Sequence, residues 1–280
     1  MGAWINASIL DGPVRGVVGR AVGADRYELR RWAPSPRAAR YLEHFWSVRW
    51  DLPGGTTHDS TVLSFPVMHL TREWGEDGVR HGFALPATLV HGVVPRVFRI
   101  TLRERGWVLG ARFRPGGFAA RFGCDASTLS GRVVPLLDGL PGVAIDLDDD
   151  MESALARLDE FVGAGPDEPD PVIAALTGLV ARIRDDGGMQ RVEQVVERAP
   201  WSARTTQRVF RRYVGVPVKW VLCRYRLQQA ALEIETDPTV DFAALAVRLG
   251  WYDQAHFIND FRDMLGCTPG EYAARYAPPR

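Results

Sequence analysis

The sequence predicts an α+β chain. A β-rich N-terminal domain, barrel- or sandwich-like, is followed by an all-α domain built on two helix-turn-helix units. Three observations carry this. Five or six short apolar runs at roughly ten-residue spacing lie between residues 41 and 113. The segment WSARTTQRVFRRYVG at 201–215 returns 51 residues later as YDQAHFINDFRDMLG at 252–266, with Phe210 over Phe261, Arg211 over Arg262 and Gly215 over Gly266. Between these regions, GAGPDEPDP at 163–171 is the sharpest break in composition. The expected division is residues 1–163, a linker at 164–171, and residues 172–280.

Residues 1–33 are rich in Gly and Arg and weakly patterned, so a poorly ordered arm with a short strand is expected there. Pro34 and Pro36 open a helical turn, and Tyr41–Asp51 reads as an aromatic-rich strand. Further strands are expected over Thr61–Thr71, Val79–Leu85, Thr88–Val94, Val97–Arg103 and Gly106–Phe113. Turn residues separate them: Pro53-Gly54-Gly55, Gly75-Glu76-Asp77-Gly78, Pro86, Pro95 and Arg105-Gly106. Helical turns follow at 118–122 and 127–129. The acidic run Asp146–Asp150 with Glu152 opens an amphipathic helix over 151–162, where negative charge suits the helix start, so a cap is expected and not a metal site. Beyond the linker everything reads as helix: 171–185, 190–199, 202–214, 217–236, 241–249, 253–265 and 269–276.

Each copy of the repeat carries its own boundaries. Ser202 and Asp253 are N-cap residues, Gly215 and Gly266 are C-terminal stops, and Pro217 and Pro269 follow where a helix cannot continue. In the first copy Val209, Phe210 and Tyr213 form the apolar stripe, while Arg204, Gln207, Arg208 and Arg211 share another face at i, i+3, i+4 and i+7. In the second, Phe257, Phe261 and Leu265 form the stripe, with Gln254, Ala255, Ile258, Asn259 and Arg262 opposite. A shorter apolar helix and a turn precede each copy, the arrangement whose second helix enters a DNA major groove.

Hydrophobic content of 46%, charged content of 24% and zero net charge describe a globular chain and leave nucleic-acid binding to local charge. From Arg204 to Arg226 there are seven basic residues and no acidic one, either a solvated helix face or a phosphate-facing one. Cys124, Cys223 and Cys267 have no metal spacing and read as reduced thiols. No signal peptide and no run of 18 apolar residues is found, so a cytoplasmic location is expected. No HxH, HExxH, Walker A loop, GxSxG or GxGxxG occurs, so no catalytic residue, metal or cofactor is expected. His69, His81 and His91 are the set that a sheet could bring together, a disfavoured reading. Trp46, Trp50, Trp74, Trp107 and Phe113, with His69 and Arg112 as polar groups, are candidates for an effector pocket; a plain aromatic core is the alternative.

Residues 189–276 resemble the AraC/XylS family of bacterial transcription regulators. The matching residues are Ser202, Arg204, Gln207, Arg208 and Phe210; Gly215 and Pro217; Arg226, Leu227, Gln228 and Ala230; then Ala243, Ala246, Gly250, Trp251, Asp253, Gln254, Phe257, Phe261, Arg262, Gly266, Thr268, Pro269, Glu271 and Tyr272. Thr206 stands where the family often has Leu, and Asn259 where it often has Arg. The resemblance implies a seven-helix domain whose two recognition helices enter successive major grooves. It places Arg204, Gln207 and Arg208, and Gln254, Ala255 and Asn259, near base edges or phosphates; Arg211 and Arg262 are expected as phosphate contacts or helix-packing residues, and Ser202, Thr205, Asp253 and Ile258 complete the expected DNA-binding set. The expected partners are double-stranded DNA, a small-molecule effector, a second copy of the chain and, for an activator, RNA polymerase. An enzymatic or metal-binding barrel with an accessory DNA-binding tail is the competing reading.

Overall fold

The computed structural model describes residues 17–18, 26–62, 65–166, 168, 170–186 and 188–277. Most of the arm expected at 1–33 lies outside them. The N-terminal half holds β1 (Val17–Val18), β2 (Glu28–Trp32), β3 (Leu42–Asp51), β4 (Thr57–Val62), β5 (His69–Gly75), β6 (Val79–Arg80), β7 (Phe83–Ala84), β8 (Ala87–His91), β9 (Phe98–Arg103), β10 (Arg105–Phe113) and β11 (Val133–Pro135). Six strands form one antiparallel sheet in the order β11-β8-β5-β10-β3-β2, and three form a second in the order β1-β4-β9. The chain crosses between these two sheets repeatedly. It does so at Leu52, whose N–H donates to the Glu104 carbonyl at 2.9 Å, and at Glu104 itself, which takes a φ of +51° between β9 and β10.

Two expected strands are corrected. Thr61–Thr71 is not one strand: β4 ends at Val62 and β5 begins at His69, in different sheets. Pro66 lies between them and has no N–H for a ladder. Val79–Leu85 is a hairpin, β6 paired with β7, turning on His81 and Gly82 with φ of +53° and +83°.

β10 is the centre of the large sheet, and its period-2 alternation decides what each face does. Trp107, Leu109, Ala111 and Phe113 pack toward the helices α1 (Gly117–Phe122) and α3 (Met151–Gly163), which follow with the short α2 (Leu136–Gly139) between them. Gly106 and Gly110 face the other way, opposite Trp50 and Trp46 of β3. A Cβ at Gly110 would stand 2.2 Å from the Trp46 ring, and one at Gly106 would stand 2.6 Å from the Trp50 ring. The glycines are the space into which the two indoles lie. Asp150 caps α3 by accepting from the Ser153 N–H at 2.9 Å, as the acidic run suggested.

The helical region runs α4 (Pro171–Asp185), α5 (Val192–Arg198), α6 (Ala203–Val209), a π-helical turn at Phe210–Val214, α7 (Val218–Thr236), α8 (Phe242–Arg248), α9 (Gln254–Leu265) and α10 (Pro269–Ala273). No described helix is long and apolar enough to cross a membrane. Its apolar residues divide between two cores, and the division falls within α7. Ile173, Leu176, Val195, Val209, Phe210, Val218, Val221 and Leu222 belong to the cluster that also holds Phe45, Leu70, Leu109 and Phe113 of the barrel. Leu227, Ile234, Leu245, Trp251, Phe257, Phe261 and Tyr272 form a separate cluster.

Candidate DNA-reading faces and barrel cavity

Ser202 caps α6 by accepting from the Thr205 N–H at 3.3 Å, and Asp253 caps α9 by accepting from the His256 N–H at 2.7 Å. The π-helical turn that continues α6 ends on Gly215 at φ 97°, and α9 ends on Gly266 at φ 78°, both in the left-handed conformation. The caps fix where each helix starts, and so which side chains its first turns present.

On α6, Arg204, Arg208 and Arg211 are exposed, Thr205 and Gln207 half-buried, and Phe210 and Val209 turned inward. Thr206 is fully buried, and its hydroxyl donates back to the Ser202 carbonyl at 3.0 Å, so the residue that departs from the family pattern satisfies its polar group within the first turn. On α9, Gln254, Ala255, Asn259 and Arg262 are exposed, Ile258 is half-buried, and Phe257 and Phe261 point into the core. Asn259 Oδ1 accepts from the Arg262 guanidinium at 3.0 Å, which orients the amide along the outer face. Asp260 is turned aside, taking the Trp251 indole N–H at 2.8 Å. Tyr252, ahead of the cap, is 91% exposed, an aromatic side chain on this surface that sequence reasoning passed over.

The second feature is a cavity of about 440 Å³ between the two β-sheets. That is within the usual range for a small-molecule site. Of the residues proposed for an effector site, Trp46, Trp50, His69 and Arg112 line it. Trp74, Trp107 and Phe113 do not: they sit at odd offsets from Glu73 and Val108 along β5 and β10 and therefore face away, Trp107 and Phe113 buried in the core under the helices and Trp74 packed against it. The cavity also takes Phe65, Thr71, Glu73, His81, His91 and Phe98, which the sequence reading did not assign. His69, Thr71 and Glu73 at alternate positions of one strand were the available signal: three polar side chains on a face that has to be buried.

The polar groups of the cavity are paired. Trp46 Nε1 donates to His69 Nδ1 at 3.1 Å, which leaves the His69 proton on Nε2; burial, then the Arg112 charge, hold that imidazole neutral well below its ordinary range. Arg112 meets Glu43 at 2.6 Å and lies 4.3 Å over the Phe65 ring. His44, beside them, is lowered to about 4 by burial and then by Arg112. Burial pushes the Glu73 carboxyl up, but the His91 hydrogen bond and the neighbouring His91, His81 and Arg80 outweigh it and bring it to about 2. His69 does not join His81 and His91; Glu73 takes that place, 3.1 Å from His91 Nε2 and 3.6 Å from His81 Nε2.

The cavity touches the helical region directly. Arg184 of α4 is part of its wall, and Phe65 stacks on Tyr225 of α7 with ring centroids 6.2 Å apart. The fully buried Arg224 donates to the carbonyls of Val94 and Arg96, each at 3.3 Å, in the loop that leaves the cavity strand β8. Ser130 donates to the carbonyl of Gly215 at 2.7 Å, tying the end of the first recognition helix to the barrel side.

Two family models match separate parts of the chain. Residues 195–275 match the family described as a helix-turn-helix domain, and residues 30–135 match a domain of unknown function (DUF6597). An uncharacterised helix-turn-helix-type transcriptional regulator of Haemophilus influenzae is 27% identical over 96 residues, 34% of this chain and 32% of that protein. The putative helix-turn-helix-type transcriptional regulator YkgA of Escherichia coli is 27% identical over 84 residues, 30% of this chain and 35% of that protein. The matches thus span about a third of the length of these curated relatives. Among solved structures, ToxT from Vibrio cholerae is similar at 11% identity and a TM-score of 0.38, covering 84% of this chain and 99% of that one. The C-terminal part of the chain is an AraC-type helix-turn-helix domain.

Proposed function

We propose that the chain is a sequence-specific DNA-binding transcription regulator whose DNA affinity is set by a small molecule bound in the barrel cavity. The observation that carries this reading is the pair of capped helices, α6 and α9, each second in a helix-turn-helix and each with its polar face free of the core. On α6, Arg204, Gln207 and Arg208 are the base-reading candidates, with Ser202, Thr205 and Arg211 toward phosphate. On α9, Gln254 and Asn259 read adenine edges, Ala255 and Ile258 supply apolar contact, and Asp253 and Arg262 frame the helix. The division into an effector or self-association domain at 1–163 and a DNA-binding domain at 172–280 belongs to the same proposal, as do a homodimer and contact with RNA polymerase.

Support for effector control comes from the cavity wall. A ligand in contact with Phe65 and Arg184 is one side chain away from α7 and already on α4, the two helices that carry the first reading unit. Selection of bound duplexes from a random pool tests the reading. The expected result is two enriched blocks about 10 base pairs apart, one per recognition helix. Binding without sequence preference would overturn it. A thermal-shift screen of small metabolites then tests the cavity, with Arg112→Ala expected to abolish the shift given by any hit.

A further inference from the structure

Glu73, His81 and His91 meet on the cavity wall from three different elements. Glu73 ends the run of cavity-facing residues on β5, His91 closes β8, and His81 is carried by the loop of the β6–β7 hairpin. Their ligand-capable atoms all lie within 4.8 Å of one another. His91 Nε2 stands 3.1 Å from Glu73 Oε1 and His81 Nε2 stands 3.6 Å from Glu73 Oε2, so each imidazole approaches the carboxylate at about the spacing of neighbouring donors around a small ion. Bonds of about 2.0–2.2 Å to such an ion put neighbouring donor atoms about 3.4 Å apart.

We propose that Glu73, His81 and His91 form a binding site for a zinc-class divalent ion. Two imidazoles with one carboxylate are the donor set such ions take when coordination positions are left open. Three further features fit. The first is charge. Arg80 is shared between Glu73 and Asp77, at 3.4 and 3.0 Å, and all three side chains are less than a tenth exposed. Two carboxylates therefore face one guanidinium, and a buried excess of negative charge is costly unless a cation offsets it. The second is the loop. His81 and Gly82 both have positive φ, a two-residue turn whose usual first residue is Asn, Asp or Gly. Here that position carries an imidazole pointed at Glu73. The third is the outer shell. The Thr71 hydroxyl donates to Glu73 Oε1 at 2.9 Å and so orients the carboxylate, as outer partners of metal sites do, while its 3.0 Å approach to His91 Nε2 is a contact the ion would replace.

The three residues line the cavity, so the open positions of the ion face the space where an effector would sit. An anionic group on the effector would complete both coordination and charge. This last consequence rests on the effector reading; the metal site does not.

The test is titration of the chelator-treated full chain with Co²⁺ alone, followed by visible absorption, and then competition with Zn²⁺. Ligand-field bands saturating at one ion per chain and displaced by Zn²⁺ are expected. His81→Ala, in the hairpin loop, should weaken binding by at least about tenfold, since even outer-shell changes cost 10–100-fold. His91→Ala should do the same, and His58→Ala, outside the cavity wall, should change nothing. Absence of saturable binding, or equal binding by wild type and His81→Ala, overturns the proposal. Should His91→Ala fail to fold, His81→Ala decides alone. No DNA or effector enters the titration, so a failed operator search leaves it untouched.

Discussion

Phe210 and Phe261 hold equivalent places in the two repeats and both are fully buried, yet they sit in different cores. Phe210 shares its cluster with the barrel residues Leu109 and Phe113; Phe261 packs with Trp251, Phe257 and Tyr272 and with nothing from the barrel core. The faces differ as well. The first carries Arg204, Arg208, Arg211 and Arg212 with no acid, whereas α9 has Arg262 tied to Asn259, and Asp260 and Asp263 further along. One unit shares its core with the barrel and carries a run of cations unbroken by any acid. The other stands on its own core and contributes shape and amide contacts. A ligand in the cavity therefore has a mechanical route to the first unit, through Phe65–Tyr225 and Arg184, whereas the second is reached along α7 and at the rim, where the Val97 N–H donates to the Met264 carbonyl at 2.8 Å.

The largest expected effect comes from removing the barrel. In a fragment of residues 172–280, Leu176, Val209, Phe210 and Val221 lose the other half of their core. Amide exchange should show α8–α10 protected and α5–α6 exchanging freely. Equal protection in both units would break the comparison, since it would mean that the first unit folds without the barrel.

In the full chain the same contrast is drawn by paired truncations. Phe210→Ala and Phe261→Ala should each cost about 3–5 kcal/mol in the unit that holds them. Only Phe210→Ala should also lower the exchange protection of β10 and β5, because the barrel and the first unit share one cluster. Loss of barrel protection in Phe261→Ala would show instead that α7 transmits unfolding through its whole length.

On DNA the ranking concerns charge. Arg208→Ala should lose about 1–3 kcal/mol if the guanidinium reads a base pair. A phosphate contact would instead appear as a salt slope lower by about 0.9. Asn259→Ala should lose less and leave the slope unchanged, since its Oδ1 is already occupied by Arg262. Titrations of both variants on one operator at several salt concentrations check this. A larger loss for Asn259→Ala would reverse the assignment of the stronger reader.

What could be read in advance was local. α4 runs over the residues expected for it, and Ser202, Asp253, Gly215 and Gly266 act at the positions where they punctuate the sequence. Caps and stops work within four residues of themselves, so a linear reading contains them. What was missed depends on pairing between distant residues. Trp74 and Trp107 are as aromatic as Trp46 and Trp50, and only the register of β10 against β3 and β5 decides which face each one takes. Glu73 enters the His81–His91 cluster because β5 pairs with β8 and a hairpin folds over both, and no periodicity encodes that. The shared core was hidden for the same reason: GAGPDEPDP marks a change of composition, but the helices after it fold back onto the sheet before it. Pro66 was a legible signal that the run Thr61–Thr71 had to break.

The smallest effects separate the units by their caps, and here the order of the two is reversed. Ser202 accepts from its backbone donor at 3.3 Å through a neutral hydroxyl, and Asp253 at 2.7 Å through a carboxylate. Substitution of such caps by Ala costs roughly 0.5–2 kcal/mol. Ser202→Ala belongs at the lower end, because α6 is also held by Phe210 in the barrel core and by the Ser130 bond to Gly215. Asp253→Ala belongs at the upper end. Its bond is charge-assisted and its negative charge meets the positive end of α9. The dipole part is screened by salt, so the cost of Asp253→Ala should shrink as salt rises, whereas that of Ser202→Ala should not. Denaturant melts of both variants at low and high salt measure this. Equal costs with equal salt dependence would mean that the caps, unlike the cores, do not distinguish the two units. The expected difference means that the unit whose core is separate from the barrel's depends more on its own first turn.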